Sequence, residues 1–370
     1  MYLRTNIFTL AVICSASLAA QTGAGPDVII FNNGEKLAGH FVRSTGANVT
    51  FKSDALGDLT IDWNKVRELQ TTTKVAVIRK GVHLARRKDT SNVPQGTLAM
   101  KDQNLVLTPT PAAAPQPIPV GQTEVVVDQP AFDKAINSHP GLLQDWKGTV
   151  TLGASLVTAT QNNETFNAAV GFVRAVPAEN WIPPRNRTAV DFSTSFGEIS
   201  QPHTPTVKSS IYHAAGEQDE YVNHRLFVFA QGAFDHNYSQ GLSLQQTYSG
   251  GLGWTVIEGA TQTLDLKVSG SYIRQQFSAG PNQSLEGSVF AQHYNKRFKR
   301  GFVADEHVTY IPAWNNTNAW TANFGTVFTM PVYKRISASS SIVDSFLNDP
   351  PPGFKKNSFQ FALGATLSLQ

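Results

Sequence analysis

Residues 357–369 read NSFQFALGATLSL. Phe359, Phe361, Leu363, Ala365, Leu367 and Leu369 alternate without a break with Ser358, Gln360, Ala362, Gly364, Thr366 and Ser368. Successive side chains of an extended chain point to opposite faces, so this is one strand with a greasy face and a small polar face. The polar face carries no Lys or Glu, unlike the charged side of a solvated sheet. The length suits a strand tilted across a bilayer, which needs about 9–11 residues.

The same alternation recurs upstream. Val150, Leu152, Ala154 and Leu156 oppose Thr149, Thr151, Gly153 and Ser155. Phe166, Ala168, Val170 and Phe172 repeat it, as do Val190, Phe192 and Phe196. Leu264, Leu266, Val268 and Tyr272 oppose Thr263, Asp265, Lys267, Ser269 and Ser271; Trp320, Ala322, Phe324, Phe328 and Met330 oppose Thr321, Asn323 and Gly325. A soluble sandwich and a membrane barrel both produce period 2. Long segments, a small uncharged polar face and aromatics near strand ends (Trp146, Trp181, Trp254, Trp314, Trp320, Tyr238, Tyr310) favour the barrel. A sheet in lipid has to close, because each open-edge peptide group would cost several kcal/mol.

The predicted fold class is all-β: a closed antiparallel transmembrane β-barrel of about twelve strands behind a small N-terminal Sm/SH3-like β domain. The strands are placed at 146–158, 165–176, 188–199, 206–216, 222–236, 240–254, 261–275, 284–296, 302–312, 318–330, 333–347 and 357–369. An even number puts both ends on one side, the periplasmic side in this reading. Short turns at Lys299-Arg300-Gly301 and Met330-Pro331-Val332 are assigned there, and the longer loops Ser278–Gln283, Pro312–Asn318 and Asn348–Lys356 to the outside.

Composition agrees. Only 15% of the 370 residues are charged, against about 25% in ordinary globular chains, while Gly (28) and Phe (22) are plentiful. Coiled coils, helical bundles and charged disordered chains are excluded. A formal net charge of +3 gives no reason to expect nucleic acid as a partner. Residues 1–20 read as a secretory signal, with Arg4 ahead of the apolar run Ile7–Leu18 and small residues at Ala19-Ala20. The single cysteine, Cys14, lies inside it, behind Ile13 where a lipidation site wants a small residue, so the mature chain is expected to lack thiols and disulfides.

Residues 27–107 carry short strands around Asn32-Asn33-Gly34 and other turns, and end in a basic run (Lys74, Arg79, Lys80, Arg86, Arg87, Lys88) read as a solvated face. Residues 108–144 read as a Pro-rich linker (Pro109, Pro111, Pro115, Pro117, Pro119) unable to pack a core, followed by a short helix at 130–137. The barrel takes 145–370.

Asn33-Gly34-Glu35-Lys36-Leu37-Ala38-Gly39, Gly57-Asp58-Leu59-Thr60-Ile61-Asp62-Trp63 with Val66, Trp146-Lys147-Gly148, Phe234-Asp235-His236-Asn237 and Gly250-Gly251-Leu252-Gly253-Trp254 occur in this order. Together they resemble the salt-induced outer membrane protein family, a domain family of unknown function (number 481). The resemblance implies a Gram-negative outer-membrane barrel without established activity, and lends no catalytic residues. Outer-membrane lipid and the barrel-insertion machinery are the partners it implies; oligomeric state is left open. The chain departs from the usual barrel ending in an aromatic residue, closing instead with Leu367-Ser368-Leu369-Gln370.

Chemistry is sparse. No phosphate loop, dinucleotide fingerprint or zinc motif appears, and no cofactor is expected. Barrel enzymes that cleave phospholipid or lipid A need a Ser, a His and a polar orienter. The local candidate, His236-Asn237-Tyr238-Ser239-Gln240-Gly241, lacks their spacing and is read as loop. His203, His213, His224 and His293 show no ligand spacing. Asp305 and His307, two apart on one strand, share the lumen as a polar pair. Asp265, Lys267, Arg335, Asp344 and Glu306 fall at membrane depth. Asp344 and Glu306 fall on the apolar parity, which implies either a bulge or a position outside the hydrocarbon. The expected function is a non-enzymatic barrel of structural or narrow passive-pore role; the alternative is a lipid-acting barrel enzyme.

Overall fold

The computed structural model describes residues 25–46, 48–82, 84, 90, 93–109, 116–157, 162–179, 181–200, 205–259 and 261–369. The secretory segment 1–20, the basic cluster Arg86–Lys88 and His203 lie outside them. The chain divides into two compact units, Met1–Lys80 with Pro94–Gln129, and Gly81–Val93 with Pro130–Gln370.

The first unit holds β1 (Asp27–Phe31), β2 (Lys36–Thr45), β3 (Asn48–Ser53), β4 (Gly57–Asp62), β5 (Val66–Arg79), β6 (Gln95–Lys101), β7 (Asn104–Pro109), β8 (Gln116–Pro119) and β9 (Thr123–Asp128). Their order is β4-β3-β2-β1-β5-β6-β7-β8, and β9 pairs with both β2 and β5, closing a four-strand ring β2-β1-β5-β9. Ile29, Phe51, Leu69, Leu98 and Leu105 fill its core. One buried charge, Asp27, is satisfied by Phe41 N, Thr72 N and Thr72 Oγ1.

The barrel-like sheet is larger than the sequence reading drew it. Residues 116–128, expected to be linker, belong to its core: Ile118, Val120 and Val125–Val127 are buried. Pro117 and Pro119 are tolerated because β8 is the edge strand, where a missing N–H removes no ladder bond. Counting prolines hid the apolar residues between them.

The second unit is a closed barrel. Its strands are β10 (Trp146–Val157), β11 (Asn162–Val176), β12 (Asn186–Ser200), β13 (Val207–Tyr221), β14 (Leu226–Asn237), β15 (Leu242–Glu258), β16 (Gln262–Phe277), β17 (Gln283–Arg297), β18 (Val303–Ile311), β19 (Thr321–Tyr333), β20 (Ile336–Leu347) and β21 (Asn357–Leu369). Each is antiparallel to the next, and β21 returns to β10. The seam runs from Gly148↔Leu369 to Leu152↔Ala365, with Thr151 Oγ1 and Thr366 Oγ1 2.8 Å apart inside it.

Several strand boundaries shift from expectation, and two of the shifts move a turn. The β13 strand continues to Tyr221, and the turn falls at 222–225, where Asn223 Oδ1 accepts from Arg225 N and Leu226 N. The β19–β20 turn lies at Lys334, in the left-handed region at φ 48°, rather than at Met330–Val332. Pro331 stays in the strand because the register shifts between Pro331 and Tyr333.

Parity holds around the wall. Phe192, Val228, Leu252, Val268, Phe290, Phe328 and Phe361 are exposed on the outside, while Ser249, Ser269, Gln275 and Thr366 are buried on the inside. Gly253 is required on the inner face: a Cβ there would lie 2.1 Å from the Phe227 ring, which fills that space. Trp254, Trp314, Tyr238 and Tyr310 are exposed near strand ends, and Trp320 stacks on Phe346 at 4.9 Å. Trp181 is no girdle residue; it sits in the β11–β12 connection and stacks on Phe132 of the helix α1 (Gln129–Ile136). Glu306 and Asp344 stand on the outer parity with the register unbroken through both, so no bulge rotates them inward.

Leu252→Arg, on the outer wall, is expected to destabilise the barrel by about 2–4 kcal/mol, falling toward zero nearer the rims. Ser249→Ala, on the inner wall, is expected to change little. Urea titration in lipid vesicles measures both.

Candidate functional site

The inner face converges on a charged network built from odd-numbered positions of neighbouring strands. Arg187 of β12 donates from Nε to Asp219 Oδ2 of β13 at 2.7 Å, and from both terminal nitrogens to Asp265 Oδ2 of β16 at 3.1 Å. Thr255 Oγ1 donates to the other Asp265 oxygen at 2.7 Å. The guanidinium also lies 5.4 Å from the Phe227 ring centroid. Asp219 and Asp265 side chains are only 2% and 7% exposed. Beside them Lys267 of β16 pairs with Glu217 of β13 and stands 5.3 Å from the Phe229 ring. The Arg187–Asp265 and Lys267–Glu217 bridges join strands that are not neighbours, so they cross the lumen.

Farther along, His213 sits between Asp191, 3.1 Å from its Nε2, and Asp235, 2.6 Å from its Nδ1. Gln275 Nε2 donates to Gln245 Oε1 at 2.8 Å. Asp305 and His307 both face the lumen, as parity requires, but Asp305 bonds elsewhere. Its carboxylate lies 3.0 Å from His293 Nε2 and accepts from Asn295 Nδ2 at 2.7 Å. His307 lies opposite His293 and turns its ring over Gly325, where a Cβ would come within 2.1 Å. Among the described residues no group of three or more His, Cys, Asp or Glu has the arrangement to hold a metal ion.

Both mouths are furnished by the second unit's own residues. At the end bearing the termini, Arg185 donates to the carbonyls of Ile136 and Ser138, and Arg174 to those of Pro140, Gly141 and Gln144, tying down the chain that follows α1. At the opposite end the β14–β15 connection reaches across to β20 and the loop before β21. Buried Gln240 donates from Nε2 to Ser345 O at 2.9 Å and Lys356 O at 2.7 Å; Ser239 Oγ donates to Ser358 Oγ at 3.2 Å. Beside it Ile273, Leu285, Val289 and Ile311 meet Ala313 and Ala319 of the β18–β19 connection in an apolar cluster.

Sequence reasoning placed Asp305 and His307 inside but missed their partners and the larger Arg187 network. These contacts join residues 10 to 78 positions apart. The usable signal was charge at inward parity: Arg187, Asp191, Glu217, Asp219, Asp235, Asp265, Lys267 and Asp305. The segment 236–241, read as loop, runs from the end of β14 through a single turn at Tyr238–Gln240, and Ser239 bonds Asn237 and Ser358 rather than His236.

Arg187→Ala is expected to cost about 3–5 kcal/mol, because it leaves Asp219 and Asp265 buried without their countercharge. Adding Asp219→Asn and Asp265→Asn should recover much of the loss in a mutant cycle read by urea unfolding.

The family model described as "Protein of unknown function, DUF481" matches residues 150–368. No curated protein matches the chain in sequence. Solved structures that resemble it include an outer membrane channel from Pseudomonas putida F1 (11% identity, 63% of this chain and 98% of that one, TM-score 0.35). The translocator domain of the autotransporter NalP from Neisseria meningitidis (9%, 60% and 87%, 0.33) and the beta domain of the Bordetella autotransporter BrkA (9%, 61% and 98%, 0.29) also resemble it. The family match spans more than half of the 370 residues and coincides with the closed barrel; the chain belongs to the DUF481 family.

Proposed function

We propose that this protein is an outer-membrane β-barrel of structural role, holding its N-terminal β unit on the periplasmic side and passing at most small solutes. The observation that carries this reading is the bridged lumen. Arg187 to Asp265 and Lys267 to Glu217 span the interior, and the Tyr238–Gly241 connection is bonded across the opposite mouth. A twelve-stranded wall leaves an interior that side chains can largely fill. The even strand number supports placing both barrel ends on one side, and the segment 1–20 supports export.

A second reading, a barrel enzyme acting on membrane lipid, is favoured by the Ser210–His236 contact on the outer wall. For the lumen, single-channel recording in planar bilayers is decisive. The native protein should be silent or pass only a small current, and Arg187→Ala with Lys267→Ala should raise conductance several-fold. A steady, wide-pore current from the native protein would contradict the proposal.

A further inference from the structure

We propose that Ser210 and His236 form a nucleophile–base pair on the outer wall of the barrel, directed at the acyl ester bonds of membrane lipids. Ser210 Oγ lies 3.0 Å from His236 Nε2. Both sit on the outward parity of β13 and β14, alongside exposed Tyr212 and Phe234. The opposite parity carries His213 and Asp235 into the lumen, so the two histidine clusters are separated by the wall.

The second ring nitrogen decides the chemistry. His236 Nδ1 lies 2.8 Å from the main-chain carbonyl of Ser243. A carbonyl can only accept, so Nδ1 carries the proton and Nε2 presents its lone pair to the Ser210 hydroxyl. That is the tautomer a general base needs. The carbonyl is available because the ladder is interrupted there. The β14–β15 register shifts between Asp235 and Asn237, and the β15–β16 register between Leu242 and Leu244. Bulges of this kind re-aim groups near functional sites. The Tyr212 ring, 5.5 Å from the imidazole, holds its plane.

Position selects the substrate class. His236 is the penultimate residue of β14, at the end of the barrel away from the termini. Tyr212 lies opposite His236 at this level, and Phe234, two residues along β14, meets Tyr248 edge-to-face at 6.1 Å farther down the wall. Aromatic belts mark the depth of the membrane interface, which is also where lipid ester bonds lie. In the reaction, Ser210 Oγ attacks the acyl carbonyl carbon while its proton passes to His236 Nε2. The ester C–O bond breaks, and the leaving alcohol takes that proton. Water then attacks the acyl-serine, giving its proton to Nε2, and fatty acid leaves as Ser210 regains its hydrogen.

The test uses the full-length barrel in two sets of vesicles, one of phosphatidylethanolamine and phosphatidylglycerol, the other containing lipopolysaccharide. Fatty acid release and fluorophosphonate labelling are followed, with heat-modifiable mobility confirming that each variant is folded. Release is expected in one set, which identifies the lipid, with the label on Ser210. Ser210→Ala should abolish both, and His236→Ala should slow both by about 10²–10⁴-fold. Ser209→Ala, on the lumen face of the same strand, should leave both unchanged. A folded native barrel that releases no fatty acid from either set, or labelling that survives in folded Ser210→Ala or His236→Ala, would overturn the proposal.

Discussion

Peptide groups in hydrocarbon have no water to bond, and every other feature of this barrel follows from that fact. An unpaired edge would expose a row of N–H and C=O groups at several kcal/mol each. The wall therefore has to return on itself, and β21 does so against β10. The seam is short beside the β11–β12 ladder, which pairs continuously from Asn162↔Ser200 to Val176↔Asn186. Gly153 and Gly364 face each other's strands beyond it, where a Cβ would approach Leu363 O and Leu152 O within 2.5 Å. Small residues let the two strands stay close beyond the last paired residues, Leu152 and Ala365.

Closure creates an inside, and the inside is where this chain keeps its charges. Burying a carboxylate costs several kcal/mol, and only close pairing offsets it. Asp265 illustrates the solution: Arg187 holds one oxygen and Thr255 the other. Phe227 and Phe229 sit against the cations, so the lumen near the termini is a mixed aromatic and ionic core rather than a water column. Breaking such pairs weakens the fold more than making them strengthens it, which ties the barrel's integrity to its interior.

The fold was legible because period 2 is a local pattern. The twelve strands, the outward Phe and Leu and the inward Ser and Thr all follow from alternation alone. The boundaries that moved are those where proline spoke against its neighbours. Pro331 sits in a strand because of a register shift, and Pro117 and Pro119 flank a buried Ile118 on an edge strand. Side-chain partners were not legible. Asp305 and His307 stand two apart on β18, but Asp305 is held by His293 and Asn295 of β17. Ser239 stood near His236 in sequence, while the serine that meets it, Ser210, lies on a different strand. Cross-strand register, set by turn lengths and bulges, decides such meetings, and no local motif encodes it.

The account rests on the even-numbered positions of β16 meeting lipid while the odd-numbered ones do not. The chain's single cysteine, Cys14, can be replaced by serine, giving a background for cysteine scanning from Leu264 to Tyr272. With a fluorophore at each position, brominated lipid should quench at 264, 266, 268, 270 and 272 and spare 265, 267, 269 and 271. Uniform quenching, no quenching, or quenching of the opposite set would contradict it.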